Sequence, residues 1–419
     1  MRTTSKTLAF YVLGMFITIA GFSAIIELTT RTVSWIRGDG FGLALHELDA
    51  ADSAITDIYQ FHPFTGFTFK PNQVFLAGHP GQDEVVRVRT DEHGFLSESD
   101  LLPIGKGANE IRIAMIGAST TANINLKYRD NWPGRLGELV QQALPDKKIT
   151  VINAAVPGFN TAQSIGNLAL RVMPFKPDLV IIYHAYNDLK VVRPDFEVKP
   201  DFSNVHKQPY GSHERPNLLL GLLNKSMLYV RTRNSYREYK KTEAIVKKTE
   251  AIVEIFAGDN RFASDIRLDQ VPISAAVIFE HNIRMLIACA LAGGAKVVVS
   301  SFATLHELGA GYDDGSIGKP LTPLKRHELF SVLQFTPGLS LDGIFGGISR
   351  YNDLLKKVAL ERNTGWVDNA NLIAHVDKNF IDRVHLSSAG AERMAQNFLP
   401  VVLDQLRGGT NSTPYSAVE

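Results

Sequence analysis

Four short groups of residues, spread over most of the chain, contain side chains that could form one catalytic site. They are Gly117-Ala118-Ser119, Gly158, Asn187-Asp188 and Asp382-Arg383-Val384-His385. A serine hydroxyl is a weak nucleophile: it needs an imidazole to accept its proton, and the imidazole needs a carboxylate to hold its tautomer. Ser119, His385 and Asp382 supply these three groups. The residue types therefore predict attack by Ser119 on an ester carbonyl.

Such an attack places negative charge on the carbonyl oxygen, and preorganised donors must stabilise it. The candidate oxyanion donors are the backbone N–H groups of Ser119 and Gly158 and the side-chain amide of Asn187. Taken singly, these residues also have structural explanations: a serine cap, a glycine with positive φ and an Asx turn. Asp382 and His385 could likewise be a helix cap and a surface histidine. The order of the groups, three of them after strand-like segments, favours one shared site.

The four groups resemble, in order and approximate position, the four sequence blocks of the SGNH hydrolases, also called GDSL esterases. The resemblance covers roughly residues 108 to 405, about seven tenths of the chain. It implies Ser119 as nucleophile, Gly158 and Asn187 as the further oxyanion residues, and Asp382 and His385 as the acid–base pair. Residues 62–66 and 91–95 also resemble the lead-in of membrane-anchored members.

Two positions depart from the usual blocks of that family. Ala118 stands where the first block usually has Asp, and Ala185 stands where the third usually has Gly. Neither change removes a group that does chemistry, but the loss of the aspartate alters what can hold the serine turn.

Composition excludes several other classes of protein. The chain has 419 residues, a formal net charge of +1 and 45% hydrophobic residues, which permits one large domain with an ample core. The near-neutral charge and the lack of a recognised motif argue against nucleic acid as a partner. The histidines show no metal-ligand spacing, so neither a metal nor a cofactor is expected. Cys289, the single cysteine, lies in an apolar helical run and is expected to be a core residue.

The amino terminus predicts a membrane anchor. From Leu8 to Leu28 the chain is almost wholly apolar, with Glu27 as its first charge. At about 1.5 Å per residue this run can cross a bilayer core of about 30 Å. A cleaved signal peptide is the alternative, but its apolar region is usually only about 7 to 15 residues. Basic residues flank both ends, so an extracytoplasmic catalytic domain is implied only by the resemblance to anchored envelope proteins.

Alternating strand-like and helical segments predict a three-layer, flavodoxin-like α/β domain with a mostly parallel sheet. The predicted helices are Trp132 to Ala143, Ser274 to Ala292 and Arg350 to Glu361. The predicted strands are Ile111 to Ile116, Thr150 to Asn153, Leu179 to Tyr183, Lys296 to Ser300 and, more weakly, Gly365 to Val367.

The resulting domain organisation has four parts. Residues 1–30 are the transmembrane anchor, and residues 31–105 are a juxtamembrane lead-in whose first part, to about 60, is expected to be helical. Residues 106–407 form the hydrolase domain, with a helical insertion at about 195–272, and residues 408–419 form a disordered tail. The insertion contains a seven-residue duplication, 240–246 repeated as 247–253, and we hypothesise that it covers the site as a lid.

The sequence leaves three functional interpretations open. The first is a serine ester hydrolase that acts through an acyl-enzyme, on acetyl or other acyl esters of envelope carbohydrate; an O-acyltransferase or a lipase- or thioesterase-type enzyme would use similar groups. The second is a flavin-binding protein, since the turn after the first strand also resembles a flavodoxin phosphate loop. The third is a non-catalytic anchored protein that binds glycan or scaffolds an assembly.

Overall fold

The computed structural model describes residues 2–36, 58–77, 86–99, 102–194, 197–200, 202, 226–229, 231–232, 235–236, 267–305, 332–333, 335–336 and 338–408. They belong to two compact units, one within residues 1–57 and 211–262 and the other within 58–210 and 263–419. The duplication at 240–253, most of the predicted insertion at 195–272 and residues 409–419 of the predicted tail lie outside the described residues.

The first unit contains one long helix, α1, from Arg2 to Ile36. Its stretch Phe10–Val33 is long and apolar enough to cross a membrane. The apolar side chains described along it are largely exposed in the protein itself, as expected of a surface that faces lipid. The apolar run thus forms a helix in the region where the sequence predicts an anchor.

Glu27 interrupts the apolar surface of α1 and binds a segment about 200 residues further along the chain. Its carboxylate accepts hydrogen bonds from the backbone N–H groups of Met227 and Leu228, at 2.8 and 2.9 Å, and from the hydroxyl of Ser226 at 2.8 Å. Arg31, one turn further along α1, donates to the same carboxylate at 2.8 Å. Glu27 therefore acts as a capping group for the short helical turn that begins at Met227.

The second unit is built around a parallel sheet with helices on both faces. Its described strands are β1 (Tyr59–His62), β2 (Gly66–Phe69), β3 (Val74–Ala77), β4 (Val86–Arg89), β5 (Glu110–Gly117), β6 (Lys148–Asn153), β7 (Leu179–Tyr183), β8 (Lys296–Ser300) and β9 (Gly365–Val367). Its described α-helices are α2 (Ser119–Ala122), α3 (Trp132–Ala143), α4 (Thr161–Asn167), α5 (Tyr186–Leu189), α6 (Ile273–Ala292), α7 (Leu341–Glu361), α8 (Asn369–Leu372) and α9 (Ser388–Leu406).

Strands β5 to β9 form the central sheet in the order β6-β5-β7-β8-β9, and every neighbouring pair is parallel. The middle strand, β7, is buried along its whole length because helices cover both faces of the sheet. The strands predicted from the apolar runs are confirmed, with β5 and β6 starting one and two residues earlier than expected. The predicted parallel α/β architecture is therefore confirmed as well.

The helices form two layers around the sheet. On one face α3 packs against α9, and on the other α6 packs against α4 and α7. Helix α6 is as long and apolar as a membrane span, but half of it is buried in this domain, which identifies it as a core helix. Helix α7 begins at Leu341 rather than at the predicted Arg350, because Ser340 caps its N-terminus by accepting from the N–H of Gly343.

The lead-in contributes two antiparallel hairpins, β1-β2 and β3-β4. Strand β1 begins at Tyr59, close to the predicted end of the juxtamembrane helix; residues 31–36 of that predicted helix belong to α1, and residues 37–57 lie outside the described residues. Aromatic side chains explain the strand, since Tyr59 stacks on Phe69 with ring centroids 4.8 Å apart and meets Phe67 edge-on at 5.4 Å. The hairpin β1-β2 thereby acquires its own small core.

Candidate active site

Three of the predicted site residues follow three neighbouring strands of the sheet. Ser119 follows β5, Gly158 follows β6 and Asn187 follows β7. Since β5 lies between β6 and β7, and all three strands run in the same direction, their carboxyl ends meet at one edge. This edge is where open parallel sheets bind ligands.

The serine lies at the first position of α2, directly after a tight turn. The carbonyl of Ala118 accepts from the N–H groups of Thr121 and Ala122 at 3.0 and 2.7 Å, so the N–H of Ser119 precedes the hydrogen bonds of the helix. A side chain at Gly117 would overlap Thr121 and the carbonyl of Tyr183. Ala118, the departure from the family block, makes no side-chain cap, and the turn is held by these backbone bonds.

Gly158 is held in a conformation that favours glycine, with φ of +86°. Directly after it, Phe159 donates its N–H to the carbonyl of Val156 at 3.1 Å, which closes the turn. The ring of Phe67, from β2, packs next to Gly158, since a Cβ at this position would lie 3.9 Å from the tip of the ring. The turn that carries this candidate oxyanion N–H is therefore fixed by both its own backbone and the lead-in.

Asn187 is 7% exposed and lies in the short helix α5. Its amide nitrogen donates to the carbonyl of Phe159 at 2.8 Å, which orients the side chain and uses one of its two amide hydrogens. The preceding Ala185, the second departure from the family blocks, has φ of −171°, an extended conformation that any residue adopts. An alanine can therefore replace the family's glycine here without strain.

Asp188 ties α5 to the first turn of α4. Its carboxylate accepts from the hydroxyl of Thr161 at 2.5 Å and from the Thr161 N–H at 3.2 Å, and Asn282 donates to that hydroxyl at 3.0 Å. Burial raises the pKa of Asp188 to about 7, although the hydrogen bonds from Thr161 oppose this shift. Asp188 therefore holds the segment around Asn187 in place.

Asp382 and His385 contact each other within one short loop. Nδ1 of His385 lies 2.7 Å from Oδ2 of Asp382, while Oδ1 of Asp382 accepts the N–H groups of Val384 and His385 at 2.9 and 2.7 Å. The loop is closed by the N–H of Ile381, which donates to the carbonyl of His385 at 2.9 Å. A carboxylate at Nδ1 favours the tautomer with its proton there, so Nε2 becomes the basic nitrogen.

One cavity of about 240 Å³ brings these groups together at the edge of the sheet. Its lining includes Ser119, Gly158, Asn187 and His385. Asp382 is not part of the lining and contacts Nδ1 of His385. The residues predicted from four distant parts of the sequence thus share one site. The full lining comprises Ala118, Ser119, Thr120, Pro157, Gly158, Tyr183, His184, Ala185, Tyr186, Asn187, Phe302, Phe335, Arg383, Val384 and His385.

The aromatic and cationic part of this cavity was not predicted from the sequence. Tyr186 stacks on Phe335 with ring centroids 5.3 Å apart, and Phe302 lies nearly parallel to Tyr186 at 6.4 Å. Arg383 packs beside this stack. The sequence positions of two of these residues could have indicated that they line the site. Phe302 follows the end of β8, and Arg383 lies inside the Asp-x-x-His block.

His184 also lines the cavity, but its ring is 2% exposed and its Nε2 lies 2.8 Å from the hydroxyl of Ser164. Burial lowers the pKa of His184 to about 3, so the ring is neutral over the ordinary pH range. This leaves His385 as the candidate general base of the two histidines that line the cavity. No group of His, Cys, Asp and Glu within the described residues is arranged to hold a metal ion.

Several solved structures are similar to this chain. A hydrolase named LAE5, from the metagenome of Lake Arreo, is 13% identical, with a TM-score of 0.39 over 74% of this chain and 99% of that one. The acetylxylan esterase Axe2 from Geobacillus stearothermophilus is 15% identical, with a TM-score of 0.37 over 72% and 96%. The acetyl xylan esterase AlAXEase is 13% identical, with a TM-score of 0.37 over 70% and 100%.

A comparison with curated protein sequences finds no match. The family model of the GDSL-like lipases and acylhydrolases, in contrast, matches residues 115–393, about two thirds of the chain. The match begins in β5, immediately before the serine turn, and ends after the Asp382–His385 pair. It therefore includes all the residues described above as the site. This chain belongs to the GDSL-like lipase/acylhydrolase family and is an ester hydrolase.

Proposed function

We propose that Ser119 is the nucleophile and that the reaction passes through an acyl-enzyme. The observation that carries this proposal is the single cavity lined by Ser119, His385, Gly158 and Asn187. Nε2 of His385 takes the hydroxyl proton while Ser119 Oγ attacks the ester carbonyl, and the imidazolium is stabilised by Asp382 at 2.7 Å.

The tetrahedral intermediate places its oxyanion among the N–H groups of Ser119 and Gly158 and the remaining amide hydrogen of Asn187. The protonated His385 then gives its proton to the departing alcohol, which leaves an acyl group on Ser119. Water, deprotonated by His385, attacks this acyl-enzyme and releases the carboxylic acid. Each proton that His385 accepts is thus returned in the following step.

The substrate that we propose is a short acyl ester, with acetyl as the first choice, on a carbohydrate of the cell envelope. The size of the cavity supports a short acyl group, since 240 Å³ is below the range of about 300 to 1,000 Å³ for pockets that enclose drug-sized ligands. A carbohydrate is proposed as the alcohol part of the ester because the sequence resembles anchored envelope relatives. An acyltransferase would use the same groups with a sugar hydroxyl in place of water.

We further propose that α1 is retained as a single membrane anchor with the catalytic domain outside the cytoplasm. The contacts of Glu27 support retention, because cleavage of α1 would leave Ser226, Met227 and Leu228 without this acceptor. A flavin-binding function receives less support, since it assigns no role to the Asp382–His385 pair.

The test uses the full-length protein in detergent and a series of p-nitrophenyl esters from acetate to octanoate, together with acetylated sugars. Ser119→Ala is expected to abolish hydrolysis, and a fluorophosphonate is expected to label wild type at Ser119. Ser99→Ala, which removes an exposed serine from the lead-in, serves as the matched control and should retain full activity. Substantial hydrolysis by purified Ser119→Ala would reject the proposal.

The ester series also tests which length of acyl chain the enzyme prefers. The sugars test whether the acyl group is transferred to water or to a sugar hydroxyl. Acetate esters are expected to have the highest kcat/KM, with a decline toward octanoate as the chain outgrows the cavity. A preference for octanoate would instead indicate a lipase-type enzyme. Transfer of acetyl to an added sugar, at the expense of free acetate, would indicate an acyltransferase.

A further inference from the structure

The cavity has a positive charge that the ester hydrolysis itself does not require. Among the described residues that line it there is no Asp or Glu, and Arg383 is the one side chain that is always charged. Of its two histidines, His184 is neutral, and His385 is occupied as the proposed base. Arg383 is therefore the permanently charged side chain that a ligand in the cavity would contact.

Arg383 is held firmly in this position. Its Nε donates to the phenol oxygen of Tyr186 at 2.8 Å, and its guanidinium carbon lies 5.6 Å from the ring centres of both Tyr186 and Phe335. Its backbone carbonyl accepts the N–H of Leu305 at 2.9 Å. An arginine fixed in this way loses little conformational freedom when it binds a ligand.

Most of the hydrogen-bonding capacity of Arg383 is unused among the residues that the structure describes. A guanidinium has five N–H donors, and only the one on Nε has a partner among the described residues. Nor does any described carboxylate form an ion pair with it. Asp382, its neighbour in the chain, directs its oxygens to His385 and to two backbone N–H groups instead.

A second cation adds to the positive charge beside the cavity. Nζ of Lys190 lies 4.4 Å from the ring centre of Phe335, the same ring against which Arg383 packs. The aromatic stack thus supports two cations, and Arg383 is the one that lines the cavity. A planar guanidinium with two terminal amino groups matches the paired oxygens of a carboxylate or phosphate.

We propose that Arg383 is a specificity residue that binds an anionic oxygen group, a carboxylate or a phosphate, on the ester substrate. The preferred substrate is then an acyl ester of an acidic sugar rather than of a neutral one. This inference rests on the proposed function, because it places the anion next to the ester that Ser119 attacks.

The experiment compares acetate release from three monoacetylated sugars: methyl glucoside, methyl glucuronoside and methyl glucoside 6-phosphate. Wild type is expected to have a kcat/KM at least about tenfold higher for one of the two anionic sugars, and the pair shows whether carboxylate or phosphate is preferred. Arg383→Gln is expected to lose this preference, and Arg383→Lys to keep only part of it, because an ammonium lacks the planar fork. Added salt is expected to reduce the preference.

Arg393→Gln is the matched control, since it removes the same charge from an exposed position on α9 and should keep the wild-type preference. Equal kcat/KM for the three sugars in wild type, or an unchanged preference in Arg383→Gln, would overturn the inference. Inhibition of wild type provides a test without variants: glucuronate or inorganic phosphate should compete with a neutral ester, and glucose should not. Inhibition by glucose alone would contradict the proposal.

Failure of this inference can be distinguished from failure of the proposed function. If Ser119→Ala is inactive and wild type hydrolyses the neutral and anionic sugars equally, only the role of Arg383 is wrong. If Ser119→Ala remains active, the proposed nucleophile is wrong whatever the sugar preference.

Discussion

The ring of Phe67 meets the ring of Phe159 edge-on, with centroids 5.1 Å apart. Phe159 follows the candidate oxyanion glycine and accepts the side-chain amide of Asn187 through its carbonyl. Gln163, in α4, adds a hydrogen bond of 3.1 Å to the carbonyl of Thr65 in the lead-in. The lead-in is therefore a structural support of the active site as well as a connection to α1.

Phe67→Ala is expected to lower both stability and turnover. Phe67 is 8% exposed, and removal of a buried phenylalanine typically costs about 3 to 5 kcal/mol in the free energy of unfolding. Loss of the ring also releases the Phe159 turn, so kcat should fall. Thermal unfolding and p-nitrophenyl acetate hydrolysis of the full-length protein measure the two effects. Phe64→Ala, an exposed position in the same hairpin, should change neither.

Asn187→Ala is expected to lower kcat by about 10²- to 10³-fold with little change in KM. The amide of Asn187 would contact the oxyanion, which exists only after attack, so its loss affects the transition state more than substrate binding. Steady-state kinetics with p-nitrophenyl acetate tests this. Asn371→Ala removes an exposed asparagine from α8 and should retain wild-type kinetics. A rise in KM alone would assign Asn187 to substrate binding instead.

Asp382→Asn is expected to reduce kcat more than Asp382→Ala. An asparagine can present its amide to Nδ1 of His385 and so favour the tautomer that protonates Nε2, a change that costs up to about 10⁴-fold in the serine proteases. An alanine imposes no tautomer and should be milder. The measurement is kcat for both variants, with their unfolding temperatures as a control for the lost loop hydrogen bonds. The opposite order would mean that Asp382 acts mainly through its hydrogen bonds within the loop, which an asparagine can partly keep.

Asp188 is expected to make the protein less stable as pH rises through neutrality. Burial raises its pKa from the ordinary 3.8 to about 7, so between these values the folded state holds a proton that the unfolded chain releases. The contribution of this protonated side chain to the free energy of unfolding is full below pH 3.8 and is lost as pH rises through about 7. The free energy of unfolding then falls by at most about 1.4 kcal/mol per pH unit.

Urea unfolding of wild type and Asp188→Asn at pH 5 and pH 8 tests this linkage. The neutral amide should reduce the loss of stability between these two pH values. Asp353→Asn, at an exposed position on α7, is the control and should behave as wild type. An equal loss in Asp188→Asn would show that another group is responsible.

The strands of the sheet could be predicted because each one is recognised from residues that are neighbours in the sequence. The apolar runs that became β7 and β8 are bounded by polar or turn residues, and parallel order follows from the helices between them. The candidate catalytic side chains were predicted for a related reason, since each occurs after a strand or within a short closed loop. These features need no knowledge of distant contacts.

The aromatic and cationic part of the site depends on contacts between distant segments. Phe335 lies about 150 residues from Tyr186, and nothing near it in the sequence indicates that the two rings stack at 5.3 Å. The support from Phe67 is likewise a contact between the lead-in and the turn after β6. Such pairings follow only from the folded chain.

The loop from Phe380 to Leu386 closes on itself, with a β-bridge between its ends and Asp382 bonded to His385 inside it. The proposed acid–base pair thus comes from seven consecutive residues, whereas the proposed nucleophile and oxyanion donors follow three different strands of the sheet. Transfer of residues 380–386 to a relative would carry Asp382, Arg383 and His385 together. Because Tyr186 and Phe335, which position Arg383, lie outside these seven residues, the recipient of such a graft would also need a matching aromatic stack.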